Sequence, residues 1–149
     1  MVNTTEYRLA SSLQVKIRDL GFAQPISSLA TGESLDRARK AGAVTPATIA
    51  AFHFAEDIYA LGYSFLELIF SSFSGVPVPQ DRFKKLFEDT FKLDVNAFRE
   101  YCKQDPEWSS AVEFLDSQSQ GGWELMKCML RARDDFAEVS LKNIRQSLF

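Results

Sequence analysis

The stretch Asp57-Ile58-Tyr59-Ala60-Leu61-Gly62-Tyr63-Ser64-Phe65-Leu66-Glu67-Leu68-Ile69-Phe70 decides how the chain folds. Ile58, Leu61, Phe65, Leu68 and Ile69 recur at spacings of 3, 4, 3 and 1, the step of a helix buried over a broad face. Tyr59, Tyr63, Leu66 and Phe70 cover the opposite side. A helix apolar all round belongs at the centre of a domain or in a membrane. Residues 58–76 are about the length of a bilayer span. Glu67, near the middle, would cost about 3 kcal/mol there. The reading is therefore a buried central helix, beginning near Ala47. Ser74-Gly75-Val76-Pro77-Val78-Pro79 stops it, because glycine and proline do not continue a helix.

Downstream, helical stripes follow one another. Phe83, Leu86, Phe87 and Phe91 lie one above the next. Asp94 is expected to cap a helix carrying Val95, Phe98, Tyr101 and Cys102. Asp105-Pro106 opens another, with Trp108, Val112 and Leu115 on its apolar side. Gly121-Gly122 should break it. Trp123, Met126, Met129 and Leu130 form the next stripe, and Ser140 would cap a last helix ending at Phe149.

Upstream the pattern changes. Residues 26–48 are polar and interrupted by Gly32, Gly42 and Pro46. They read as a long loop around a short helix at residues 34–40, with Glu33, Asp36 and Arg37 on its wet side. Before them, Tyr7 and Leu9, then Leu13, Val15 and Ile17, alternate with Arg8, Gln14, Lys16 and Arg18. Period 2 indicates a half-buried strand pair. Asp19-Leu20-Gly21 turns the chain at its end. The fold class is mainly α, one domain over residues 1–149, with a small N-terminal β-strand pair.

Composition narrows the chemistry. A chain of 149 residues fits one domain, and 46% hydrophobic with 25% charged residues describes an ordinary globular protein. Seventeen basic against 20 acidic residues give a net charge of −3, which speaks against a nucleic-acid partner. Cys102 and Cys128 make no disulfide framework, and with His53 as the only histidine a Cys/His zinc site is almost excluded. A Ser-His-Asp triad would have to use His53. Residues 1–20 have no uninterrupted apolar run of the kind a signal peptide carries. The expectation is a soluble protein, intracellular or organellar, with no transmembrane span.

Four segments in order resemble the C-lobe of a protein kinase. Val15-Lys16-Ile17-Arg18-Asp19-Leu20-Gly21-Phe22-Ala23 is similar to the strand and metal-binding Asp-Phe-Gly turn, with Leu in place of Phe. Thr45-Pro46-Ala47-Thr48-Ile49-Ala50-Ala51 resembles the end of an activation segment. Asp57 to Gly62 resembles the opening of the central C-lobe helix. Trp123 to Asp134 is similar to the helix before the terminal kinase Arg.

What the resemblance implies is limited by what is missing. A kinase needs a Gly-rich loop, a Lys on its third strand and a catalytic loop. Residues 1–6 contain Asn3 but no His-Arg-Asp. The kinase Ala-Pro-Glu carboxylate has no counterpart near Ala50-Ala51-Phe52, and Glu138 stands where its Arg partner aligns. The resemblance thus implies no catalytic residues, no cofactor and no bound nucleotide. Asp19 would hold Mg²⁺ only if the kinase fold were completed. It implies a pseudokinase-like interaction or structural module, one subunit of a larger assembly. With no N-lobe above them, Leu13, Val15, Leu20 and Phe22 would meet water, so another protein is expected to cover this side. Two alternatives remain: the C-terminal part of an active Ser/Thr protein kinase, and an unrelated helical adaptor.

Overall fold

The computed structural model describes residues 20–75 and 77–136. The expected strand pair, Asp19 and the helix beyond Ser140 lie outside them. The described residues are mainly helical and contain no strand. A 3-10 turn at Leu20–Phe22 leads into α1 (Ile26–Leu29) and α2 (Gly32–Lys40). The long helix α3 (Pro46–Ser74) follows, then α4 (Gln80–Lys84), α5 (Val95–Lys103) and α6 (Ser109–Leu130). A π-helical turn, Lys85–Thr90, extends α4, and a 3-10 turn, Pro106–Trp108, precedes α6.

The ends of α3 are written in local chemistry. Thr45 caps it: its Oγ1 accepts from the Thr48 N–H at 3.2 Å, and Thr48 Oγ1 accepts from the Thr45 N–H at 2.9 Å. This reciprocal pair satisfies two donors the helix cannot. Pro46 takes the first position, where its missing N–H costs nothing. Gly75 ends the helix at φ 69, a left-handed conformation that glycine adopts without strain.

The core gathers on one side of α3. Tyr59, Tyr63, Leu66, Ile69 and Phe70 pack with Phe83, Phe87, Phe98, Trp108, Leu115, Trp123, Met126 and Leu130. Phe98 sits among rings, 4.2 Å from Phe87, 5.9 Å from Phe70 and 6.1 Å from Trp108. The expected caps are in place. Asp94 accepts from the Asn96 and Ala97 N–H groups at 3.0 Å, and Asp105 from the Glu107 N–H at 3.0 Å. Phe83 and Phe87 are fully buried, as their stripe requires. The turn between them is π-helical, with the Phe91 N–H donating to Leu86 O at 2.8 Å.

Two expectations change. Residues 26–48 are mostly helix rather than loop, because α2 and the turn after it pack through alanines. Ala38 and Ala43 are fully buried against Ile49 and Phe52. Small side chains make a close helix contact without an apolar stripe that periodicity would detect. The second change concerns α3, which is not buried all round. Leu61 is 57% exposed and Leu68 64%, although both belonged to the stripe read as buried. The described elements pack on one flank of α3 and leave the other open. No described helix is long and apolar enough to cross a membrane.

Within α6 the chain bends back. Ser119 and Gln120 are left-handed at φ 58 and 69, directly before Gly121-Gly122. A straight helix separates residues seven apart by roughly 10 Å. Here a Cβ built on Gly122 would lie 3.0 Å from Leu115 Cα and 3.1 Å from Leu115 O. Asp116 ties the bend. Its Oδ1 accepts from Trp123 Nε1 at 2.7 Å and from Arg99 Nε at 2.8 Å. The Arg99 bond, then that of Trp123, hold the Asp116 carboxyl below its ordinary pKa. Gly122→Ala would meet the Leu115 side chain at 2.7 Å as well as its backbone, so both must give. It should destabilise the protein by about 2–3 kcal/mol, as overpacking does, read as a lower urea midpoint. Gly121→Ala, with open space around it, should cost much less.

Candidate functional site

Most residues singled out by the kinase resemblance cannot be placed: Asp19, Leu13 and Val15 lie outside the described residues. Leu20 opens the first 3-10 turn and is 68% exposed, and Phe22 closes the same turn. Asp57 is exposed on the surface of α3. It stands well inside that helix rather than at its N-terminus, so the helix dipole gives it no special stability. Glu67 is half-buried with no ion pair among the described residues. His53 stacks edge-on against Phe52 at 5.2 Å, and its Nε2 makes no hydrogen bond among those residues. No three His, Cys, Asp or Glu side chains converge there on a possible metal.

The densest polar arrangement is one that sequence reading missed. Tyr59 and Tyr63, one turn apart on α3, were read as core. Their rings are, but their hydroxyls meet at 3.1 Å and both donate to Glu88 Oε1, at 2.5 Å and 3.1 Å. Glu88 reaches them from the π-helical turn. Arg133 lies over the Tyr59 ring at 3.7 Å and also pairs with Glu56, which pairs in turn with Arg37. One carboxylate on α3 thus joins α2 to the turn after α6. The signal for this cluster was the i, i+4 tyrosine pair with Glu56 beside it. The partners Glu88 and Arg133 are too distant in sequence for periodicity to find.

Burial, then hydrogen bonding to Glu88, pushes the Tyr59 hydroxyl above its ordinary pKa. Burial, then the bond to Tyr59, pushes Tyr63 higher still. Burial likewise raises the Cys102 thiol and leaves it unreactive. The tyrosines are therefore neutral donors at physiological pH, fixed by packing. Such an arrangement braces a helix contact, and neither tyrosine is poised to release a proton near pH 7.

Two shallow clefts adjoin this cluster. One, of about 360 Å³, is lined by Tyr59, Glu88, Lys92, Leu93, Arg133 and Asp134. The other, of about 330 Å³, shares Lys92, Leu93 and Asp134 and adds Asp94, Lys127 and Arg131. Lys92 and Leu93 form their common wall in left-handed conformations, φ 50 and 64. Both clefts mix the two signs of charge; the first is walled mainly by apolar surface and the second mainly by polar surface.

The larger uncovered surface is apolar. Phe54, Leu61 and Leu68 are exposed along α3, and Phe73 with Phe114 forms an exposed ring pair at 5.1 Å. Leu20 and Ile26 are exposed at the N-terminal side. Helix α1 buries none of its own residues. Compared with known protein families, characterised proteins and solved structures, the chain matches none.

The tyrosine cluster has a pH signature. A folded pKa raised above the ordinary 10.0 gives stability that is complete below pH 10 and lost as pH rises beyond it. Tyr63→Phe should cost about 1 kcal/mol at pH 7 through the lost hydrogen bonds. Its stability should then fall less steeply than the wild type's above pH 10. Denaturant titrations across that range check both.

Proposed function

We propose that the chain is a non-catalytic, pseudokinase-like interaction or structural module, a subunit of a larger assembly whose other protein covers its N-terminal side. The observation that carries this reading is the exposure of that side. Leu20 is 68% and Ile26 50% exposed, and the short helix that carries Ile26 buries none of its own residues. Fully covering a leucine or isoleucine contributes about 1.5–3 kcal/mol. Clustered exposed apolar residues of this kind mark interaction surfaces. The central apolar helix followed by amphipathic helices is the order the kinase C-lobe resemblance implies. The motifs that resemblance rests on include no catalytic loop, so the fold serves binding and not phosphoryl transfer.

The assembly is tested by native mass measurement. Leu20→Ser combined with Ile26→Ser should shift the assembly towards the monomer while the helical circular dichroism is kept. A wild-type monomer whose residues 20–26 resist hydrogen exchange would overturn the reading. The purified chain should also transfer no labelled γ-phosphate to a generic protein substrate; transfer abolished by Asp19→Ala would make it an enzyme.

A further inference from the structure

The outer face of α3 has a geometry that specifies its occupant. Phe54, Leu61 and Leu68 stand seven residues apart, so they form one row that drifts only about 20° per step. The row is roughly 21 Å long at the rise of an α-helix. All three side chains are more than half exposed. Small residues, Ala47, Ala50, Ser64 and Ser72, flank them, and all but the half-buried Ala50 are exposed. Small flanks let a second helix approach to the 8–10 Å typical of packed helices.

We infer that this face pairs with the same face of a second copy of the chain, the two α3 helices antiparallel about Leu61. This deepens the interaction-module reading and rests on it. A twofold interface needs a patch complementary to itself. The row meets that condition, because Phe54 and Leu68 lie at equal distances on either side of Leu61. In the antiparallel register Leu61 meets Leu61 of the second copy, and Phe54 meets Leu68 of the second copy.

Charge selects the same arrangement. Helix α3 carries Glu56, Asp57 and Glu67, one histidine, His53, and no Lys or Arg. Glu56 is already neutralised by Arg37 and Arg133. Glu67 stands about 100° or more around the helix from the row, at 3.6 residues per turn. Asp57 alone borders the row. A parallel pair would set the two Asp57 side chains against each other. The antiparallel pair puts Asp57 opposite Phe65 of the second copy and separates the two carboxylates by roughly 12 Å along the axis, beyond a Debye length of about 8 Å at physiological salt. A strongly basic partner helix would find one carboxylate beside this row and no more. Three partly exposed side chains on each copy make a small interface, so the dimer is reversible and concentration-dependent.

Cysteine crosslinking of the full chain distinguishes the register, with the wild-type chain as baseline for Cys102 and Cys128. Under mild oxidation Leu61→Cys should give a disulfide dimer. Phe54→Cys and Leu68→Cys should give none alone but should crosslink when mixed. In sedimentation, Leu61→Asp should abolish the rise in mass with concentration that the wild type shows. A wild type monomeric at every concentration overturns the inference. So does equal crosslinking of all three single variants, or a Leu61→Cys thiol that is protected in a monomer, which would mean that another part of the same chain covers the face. Leu61→Asp leaves Leu20 and Ile26 untouched. A heavier assembly that survives Leu61→Asp yet is lost on Leu20→Ser with Ile26→Ser would overturn the self-pairing and leave the interaction-module reading standing.

Discussion

The inner flank of α3 is the surface on which the other described helices are built. Tyr63, Leu66 and Phe70 are only 1%, 0% and 0% exposed, and the rings of Phe83, Phe98 and Trp108 close over Phe70. On the same helix Gly62 admits Leu130 and Met129; a Cβ there would stand 3.2 Å from each. A larger residue would push the end of α6 away from α3. Because cores are packed as densely as organic crystals, that displacement would be felt through the aromatic cluster.

Polar contacts then fix how the helices meet. Asp116 holds Trp123 and Arg99 across the bend of α6, and Glu88 holds the π-helical turn against Tyr59 and Tyr63. Glu56 binds α2 and the turn after α6 to α3 through two arginines. Each uses a carboxylate whose acceptors meet more than one donor, and charge-assisted bonds of this kind hold geometry more firmly than neutral ones. The fold keeps its strongest polar bonds for junctions between helices. Its exposed apolar side chains, by contrast, gather on the open flank of α3 and at the N-terminal side.

Much of this was legible from local pattern. The central helix and its stop after Ser74, the cap at Asp94, the helix start at Asp105-Pro106 and the buried rows around Phe83, Phe98 and Trp108 all depend on neighbours within a few residues; the break expected at Gly121-Gly122 does not occur there, because α6 runs through both glycines and bends at Ser119 and Gln120. Helix α2 was only half legible, since its contact is made by Ala38 and, in the turn after it, Ala43, which carry little hydrophobic signal. The tyrosine–Glu88–Arg133 cluster was invisible for a different reason: its members come from three separate elements, and side-chain periodicity says nothing about which polar tips converge.

The sequence alone determined that this chain is mainly helical, with α3 as its long apolar axis, because helix periodicity and capping are local properties of the residues. Only the tertiary structure decided which side of α3 is core. Leu61 and Leu68 are as hydrophobic as Leu66, and periodicity ranks them equally. What separates them is where α4, α5 and α6 can pack once the bend at Ser119-Gln120 and the close approach at Gly122 have set their directions. That choice buries Leu66 and leaves Phe54, Leu61 and Leu68 facing outward.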